Sequence, residues 1–258
     1  TKGVSRYDKI NDNWQSYTTA GGLVFKYVDD IAVDDDCVWF ASLGGASRYN
    51  KLTGEWENYL GGYRIEAIAV DGNYVWFGTS SDGVRRYNKV DGSWKTYTIA
   101  DGLAIKYVSS IAIDGNYVWF ETSGGAVRYD KVDETWKIYT EADGLATNAI
   151  TAIVIDGDYV WFGTTDGVSR YHKPSNTWRT FTTADGLAAN RTLSVTIDGQ
   201  YVWVGTEQEG VSRYNKVSDT WQTFTTNDGL AGKRVDSIAV DGIYTWFGTN
   251  NGASRYQK

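Results

Sequence analysis

Lys26, Arg64, Lys106, Arg191, Lys233 and Arg234 fall just ahead of similar apolar runs, with Tyr27, Tyr63 and Tyr107 interleaved and Asn148 and Asn190 in the remaining units. Charged forks, amides and phenol rings in that combination suit recognition of an anion or a polyhydroxylated compound, because guanidinium groups bind oxyanions in fixed geometry. Solvated side chains at strand starts are the plainer reading of the same residues. Glu121 joins the group as a candidate, since it stands where Gly78, Gly163, Gly205 and Gly248 recur and Ala41 occupies the first unit. A lone buried carboxylate is costly, so Glu121 is expected to reach solvent beside the basic residues.

Other reactive side chains are few. His172, the single histidine, takes the place of Asn88, Asp130 and Asn215, and Cys37, the single cysteine, replaces a tyrosine found at Tyr74 and Tyr117. Neither has the base, orienting partner or metal-ligand spacing that nucleophilic or hydrolytic chemistry requires. Asp101, Asp143, Asp185 and Asp228 recur as metal ligands might be expected to, but each precedes a glycine, and turn chemistry accounts for them. No catalytic residue, metal site or cofactor is expected. Loop carboxylates keep a lyase or hydrolase as the weakest alternative.

A repeat must position these residues. All twelve tryptophans belong to two series: Trp39, Trp76, Trp119, Trp161, Trp203 and Trp246, spaced by 37, 43, 42, 42 and 43 residues, and Trp14, Trp56, Trp94, Trp136, Trp178 and Trp221, spaced by 42, 38, 42, 42 and 43. These spacings match propeller blades. Within a unit, Val108 to Ile113 reads as a first strand ending at the turn pair Asp114-Gly115. Tyr117 to Thr122, apolar on both faces, is the second, Gly125 to Asp130 the third, and the more polar Thr135 to Thr140 the fourth.

First strands are expected near Val28, Ile65, Val108, Ile150, Thr192 and Val235, and the pattern gives six first, six second, seven third and six fourth strands. The expected fold is an all-β, six-bladed β-propeller of four-stranded antiparallel blades, one domain over residues 1–258, closed by joining N- and C-terminal strands in one blade. Closure spares the molecule an exposed apolar end. One third strand is surplus, and the N-terminal copy, Gly3 to Tyr7, is expected to displace Gly252 to Tyr256 because the latter lies near the chain end. First strands converge on a propeller axis, so the basic group should surround one channel mouth, beside the second-to-third-strand loops.

Periodicity also explains residues that would otherwise suggest binding. A tryptophan present in every unit is placed by the fold, between blades. Arg6, Arg48, Arg86, Arg128, Arg170, Arg213 and Arg255 recur beside tyrosine and are expected to stack on aromatic rings rather than form an anion-binding ring.

The net charge of −7 and pI near 4.8 argue against nucleic acid or an anionic membrane as partner. No apolar run approaches a membrane span, and no signal peptide is evident. With Thr1 first and no methionine, the chain reads as a mature, excised or engineered segment. A monomer is expected, with edge pairing through the surplus strand as a further possibility.

The succession Asp-Gly-Leu, an apolar strand ending in Asp-Gly, Tyr-Val-Trp-Phe-Gly-Thr and Gly-Val-Ser-Arg-Tyr resembles the two-component-regulator propeller repeat over essentially the whole chain. The resemblance implies a periplasmic or extracellular sensor propeller of the kind found in hybrid histidine kinases, often linked to carbohydrate sensing. The expected function is a non-catalytic recognition module binding an anionic or polyhydroxylated small molecule, glycan or peptide. The alternative is a structural or engineered scaffold with no ligand of its own.

Overall fold

The computed structural model describes residues 3–258. β1 (Val4–Asp8) and β2 (Asn13–Tyr17) form a two-stranded sheet. Four-stranded sheets follow: β3 (Val28–Val33), β4 (Cys37–Ser42), β5 (Gly45–Asn50) and β6 (Trp56–Tyr59); then β7 (Ile65–Asp71), β8 (Tyr74–Thr79), β9 (Val84–Asn88) and β10 (Trp94–Tyr97). The next comprises β11 (Val108–Asp114), β12 (Tyr117–Thr122), β13 (Gly125–Asp130) and β14 (Thr135–Tyr139). Two more are β15 (Ile150–Asp156), β16 (Tyr159–Thr164), β17 (Gly167–His172), β18 (Thr177–Phe181), and β19 (Thr192–Asp198), β20 (Tyr201–Thr206), β21 (Val211–Asn215), β22 (Thr220–Phe224). A three-stranded sheet, β23 (Val235–Asp241), β24 (Tyr244–Thr249) and β25 (Gly252–Gln257), completes the set.

All six first strands begin at the expected residues, because each is a run containing β-branched side chains that leads into a turn opened by aspartate. Asp156-Gly157 shows the turn chemistry: Gly157 has φ of 57°, which an L side chain resists. The described strands form seven sheets rather than six, since the terminal strands lie in separate sheets of two and three. Nor is β25 displaced. It pairs with β24 from Gly252 to Gln257, Tyr256 packs 5.4 Å from both Trp203 and Phe224, and Lys258 Nζ reaches Asp198 Oδ1 at 2.5 Å. These anchors outweigh proximity to the chain end.

The chain falls into two compact units, Thr1–Phe120 with Arg128–Trp136, and Glu121–Val127 with Lys137–Lys258. In the first, Trp39 is fully buried against Tyr59, Phe77 and Tyr87 at centroid distances of 5.6, 6.0 and 6.0 Å. Its indole N–H donates to Asp34 Oδ2 at 3.2 Å, and Lys89 from the following sheet reaches the same oxygen at 3.0 Å. In the second unit, Trp161 is buried against Phe181 and Tyr214, with Asp156 and Lys216 repeating the arrangement. Burying an indole of this size contributes about 4–6 kcal/mol gross.

Five second-strand tryptophans are thus core, but Trp246 is 41% exposed. The recurring arginines stack as expected: Arg86 lies 4.4 Å from the Tyr74 ring, Arg170 4.8 Å from Tyr159 and Arg213 4.5 Å from Tyr201. Where Cys37 replaces the tyrosine, Arg48 Nε donates to its Sγ at 3.0 Å instead.

Candidate functional site

The segments carrying the basic residues run alongside second-to-third-strand loops. In the first unit, Ser80 N–H donates to Arg64 C=O at 3.1 Å and Gly83 N–H to Lys106 C=O at 2.9 Å. In the second, Glu207 N–H donates to Arg191 C=O, Gly210 N–H to Lys233 C=O and Asn250 N–H to Arg234 C=O, at 2.8–3.1 Å. Main-chain bonds therefore fix where each lead-in segment lies, and side-chain identity is left free.

A β-bulge follows at once. Pairing of first and second strands slips between Val28 and Asp30, Ile65 and Ala67, Ile150 and Ala152, Thr192 and Ser194, and Val235 and Ser237. The extra residue in each slip is Asp29, Glu66, Thr151, Leu193 or Asp236, so the bulge re-aims the one first-strand position at which the repeats differ most in chemistry. Sequence reading stopped two residues short of it.

In the first unit, Lys26 Nζ lies 5.3 Å from the Tyr27 ring centre, and Tyr27 and Tyr107 are each about two-fifths exposed. Arg64 Nε pairs with Glu66 Oε1 at 2.8 Å. Burial pushes the Glu66 carboxyl above the usual carboxylate range; Arg64 pulls it back and the Asp29 charge adds to the rise. Tyr63 is covered by the Arg85 guanidinium at 4.1 Å, a contact the sequence reading missed.

The cause is the 38-residue spacing between Trp56 and Trp94. Other repeats place a buried leucine ahead of this segment, such as Leu103, Leu145 and Leu187, and in four of them a third-strand serine accepts from a lead-in amide, as Ser169 Oγ does from Ala146 N–H at 2.8 Å. The second repeat lacks that leucine, and Arg85 replaces the serine. Gly-Val-Arg-Arg-Tyr against Gly-Val-Ser-Arg-Tyr was the available signal.

In the second unit, Arg191 Nε and Arg234 Nη1 both pair with Glu207, at 3.0 and 3.2 Å; Arg234 Nε also holds Asp236 at 2.7 Å, and Lys233 faces Glu209 at 3.8 Å. The cluster is therefore of mixed charge, not simply basic. Side chains of Arg191 and Lys233 remain about three-fifths exposed.

Asn148 and Asn190 serve the backbone. Asn148 Oδ1 accepts from Glu141 N–H at 3.0 Å, and Asn190 Oδ1 from Thr183 N–H at 2.9 Å, while Asn190 Nδ2 donates to Asp166 at 3.0 Å. Glu121 does not reach solvent. It is 7% exposed and engaged with its surroundings. The glycines at its position explain why: a Cβ at Gly78 or Gly205 would stand 2.7 Å from Val108 C=O or 2.6 Å from Val235 C=O, so this position faces a neighbouring first strand.

Asp101, Asp185 and Asp228 complete capping boxes with Thr98, Thr182 and Thr225. His172 Nδ1 lies 2.6 Å from Ser175 Oγ within one exposed turn. That pair closes the hairpin that Asn88 Oδ1 and Asn215 Oδ1 close elsewhere by accepting from Val90 and Val217 amides.

No family model matches the sequence, and no curated protein matches it. Solved structures do match. The extracellular domain of a protein described as the hybrid two-component system BT3049 from B. thetaiotaomicron aligns with a TM-score of 0.78 at 15% identity, over 98% of this chain and 37% of that one. The extracellular domain of BT4673 from the same organism gives 0.81 at 20% identity, over 99% and 38%. The computationally designed Ika8 protein gives 0.75 at 15% identity, over 99% and 78%.

At such identities the likeness establishes a propeller-like all-β fold. The neighbours include extracellular domains described as belonging to hybrid two-component systems, and the chain spans little more than a third of their length. Among the described residues, no helix is long and apolar enough to cross a membrane.

Proposed function

We propose that the protein is a non-catalytic, extracytoplasmic recognition module whose six repeats act as blades, each offering one lead-in segment and one bulge residue to a polyhydroxylated or anionic ligand. The observation that carries this reading is the pairing of Arg191 and Arg234 with a shared Glu207, half-exposed, at positions the fold does not dictate. Alternating guanidinium and carboxylate groups supply donors and acceptors in fixed geometry, as vicinal hydroxyls require. Glycans or sugar acids fit this chemistry better than a simple anion, because Glu207, Glu209 and Asp236 offset the positive charge.

The second reading, a scaffold with no ligand of its own, draws on the same ion pairs, which satisfy one another, and on the likeness to a designed protein. Thermal-shift screening of a glycan and sugar-acid panel separates the two. A compound that raises the melting temperature of the wild type but not of an Arg191→Ala/Arg234→Ala variant supports recognition. If no compound does so, or if the variant responds equally, this site is not the binding surface.

A further inference from the structure

Trp39, Trp76, Trp161 and Trp203 are each packed against the sheet that follows their own. Around Trp39 stand Tyr59, Ile68, Val75, Phe77 and Tyr87, with the Arg48 guanidinium 5.6 Å from its ring. The same set recurs beside β1 and β4 as Tyr17, Ile31, Val38, Phe40 and Tyr49, with Arg6 in the place of Arg48. There it encloses an apolar cavity of about 290 Å³ with no indole in it. Trp246, on β24, is the matching indole without a house.

Fourth-strand tryptophans show a second vacancy. A Cβ on Gly102 or Gly144 would touch Trp136 or Trp178 at 2.5 Å, and one on Gly186 would meet Trp221 at 3.0 Å; at Gly229 nothing lies within 4 Å. The groove there is lined by Leu230 and by Phe224, Phe247 and Tyr256, the counterparts of the three rings that hold Trp178. Trp14, on β2, is 71% exposed.

Charge follows the same rule. Lys89, Lys131 and Lys216 each reach an aspartate of the preceding sheet, at 2.8–3.0 Å. Lys51 lines the vacant cavity with its Nζ bonded to the Asp34 carbonyl, and among the described residues neither Lys51 nor exposed Asp241 forms an ion pair.

We propose that the protein associates head to tail with a second copy of itself. Trp246 of one copy enters the cavity of the next, Trp14 of that copy settles over Gly229 of the first, and Asp241 pairs with Lys51. β25 and β1 are interchangeable against β2: β1 pairs Val4 with Tyr17 and Tyr7 with Trp14, and Ala253 and Tyr256 hold those places in β25. The anchored β25 is the strand retained, and β1 yields. Such a contact is heterologous, giving a closed ring of copies or an open chain.

Light-scattering mass across a concentration series tests this on the full chain. The expected result is a mass above one chain that rises with concentration and falls towards one chain in Trp246→Ser. Lys51→Glu should raise the dissociation constant about tenfold, and Lys51→Glu/Asp241→Lys should restore it. The double variant separates a lost contact from a folding defect. A single-chain mass at every concentration overturns the proposal: with Trp246 protected from quencher, the chain's own N-terminal sheet is the occupant, and with it accessible the sockets stay vacant. Association unaffected by both single substitutions places the contact elsewhere.

Discussion

Asp34 accepts from the Cys37 amide at 2.7 Å, from the Trp39 indole at 3.2 Å and from Lys89 at 3.0 Å. Burial alone would push its carboxyl up, but the hydrogen bonds from Lys89, Trp39 and Cys37 together hold it below its ordinary value of 3.8. A carboxylate whose folded value is depressed takes up its proton later in the folded state than in the unfolded one. Its stabilisation is therefore complete above the ordinary value and is lost as pH falls through the folded one. Asp34→Asn is expected to lower unfolding free energy at pH 7 by about 1–3 kcal/mol. In urea titrations the gap from wild type should close below about pH 4. A gap that persists at pH 2 would assign the cost to packing instead.

At the scale of elements, the second strand is the most constrained. Gly205 has ordinary strand geometry, yet a Cβ there would stand 2.6 Å from Val235 C=O on the adjoining sheet. Backbone cannot give way as a flexible side chain can. Gly205→Ala is expected to cost about 1–3 kcal/mol in chemical denaturation, whereas a neutral result would mean that β23 can retreat. The strands themselves were legible, because Val108 or Ile150 is followed at a fixed distance by Asp-Gly and then by an apolar run. The bulge at Glu66 was not, since a slip of register lies in the pairing of two strands and leaves no mark on either. Nor was the enclosure of Glu121: periodicity marked it as unusual, but the neighbour that encloses that position comes from elsewhere in the chain.

At the scale of the whole molecule, a uniform sequence repeat does not give uniform burial. Trp161 and Trp246 occupy equivalent positions, yet one is fully buried and the other 41% exposed. Trp161→Ala is expected to cost about 3–5 kcal/mol and Trp246→Ala less than half of that, measured by denaturation at low protein concentration. Equal losses would show that Trp246 is housed in solution. Counting strands gave the order of strands within a unit but not the fate of the chain's two ends, because Gly-Val-Ser-Arg-Tyr and Gly-Ala-Ser-Arg-Tyr are equally good third strands. Only the anchors made by Tyr256 and Lys258 distinguish them.

The bulge behind each lead-in segment has an evolutionary consequence. A residue inserted at a slip of register belongs to neither strand's alternation, so exchanging Asp29, Glu66, Thr151, Leu193 or Asp236 for another type leaves the inward and outward faces of its sheet unchanged. Duplication of such a unit copies a stable frame together with one mutable letter. An array of these units can drift through chemically different spellings, one repeat at a time, without passing through an unfolded intermediate.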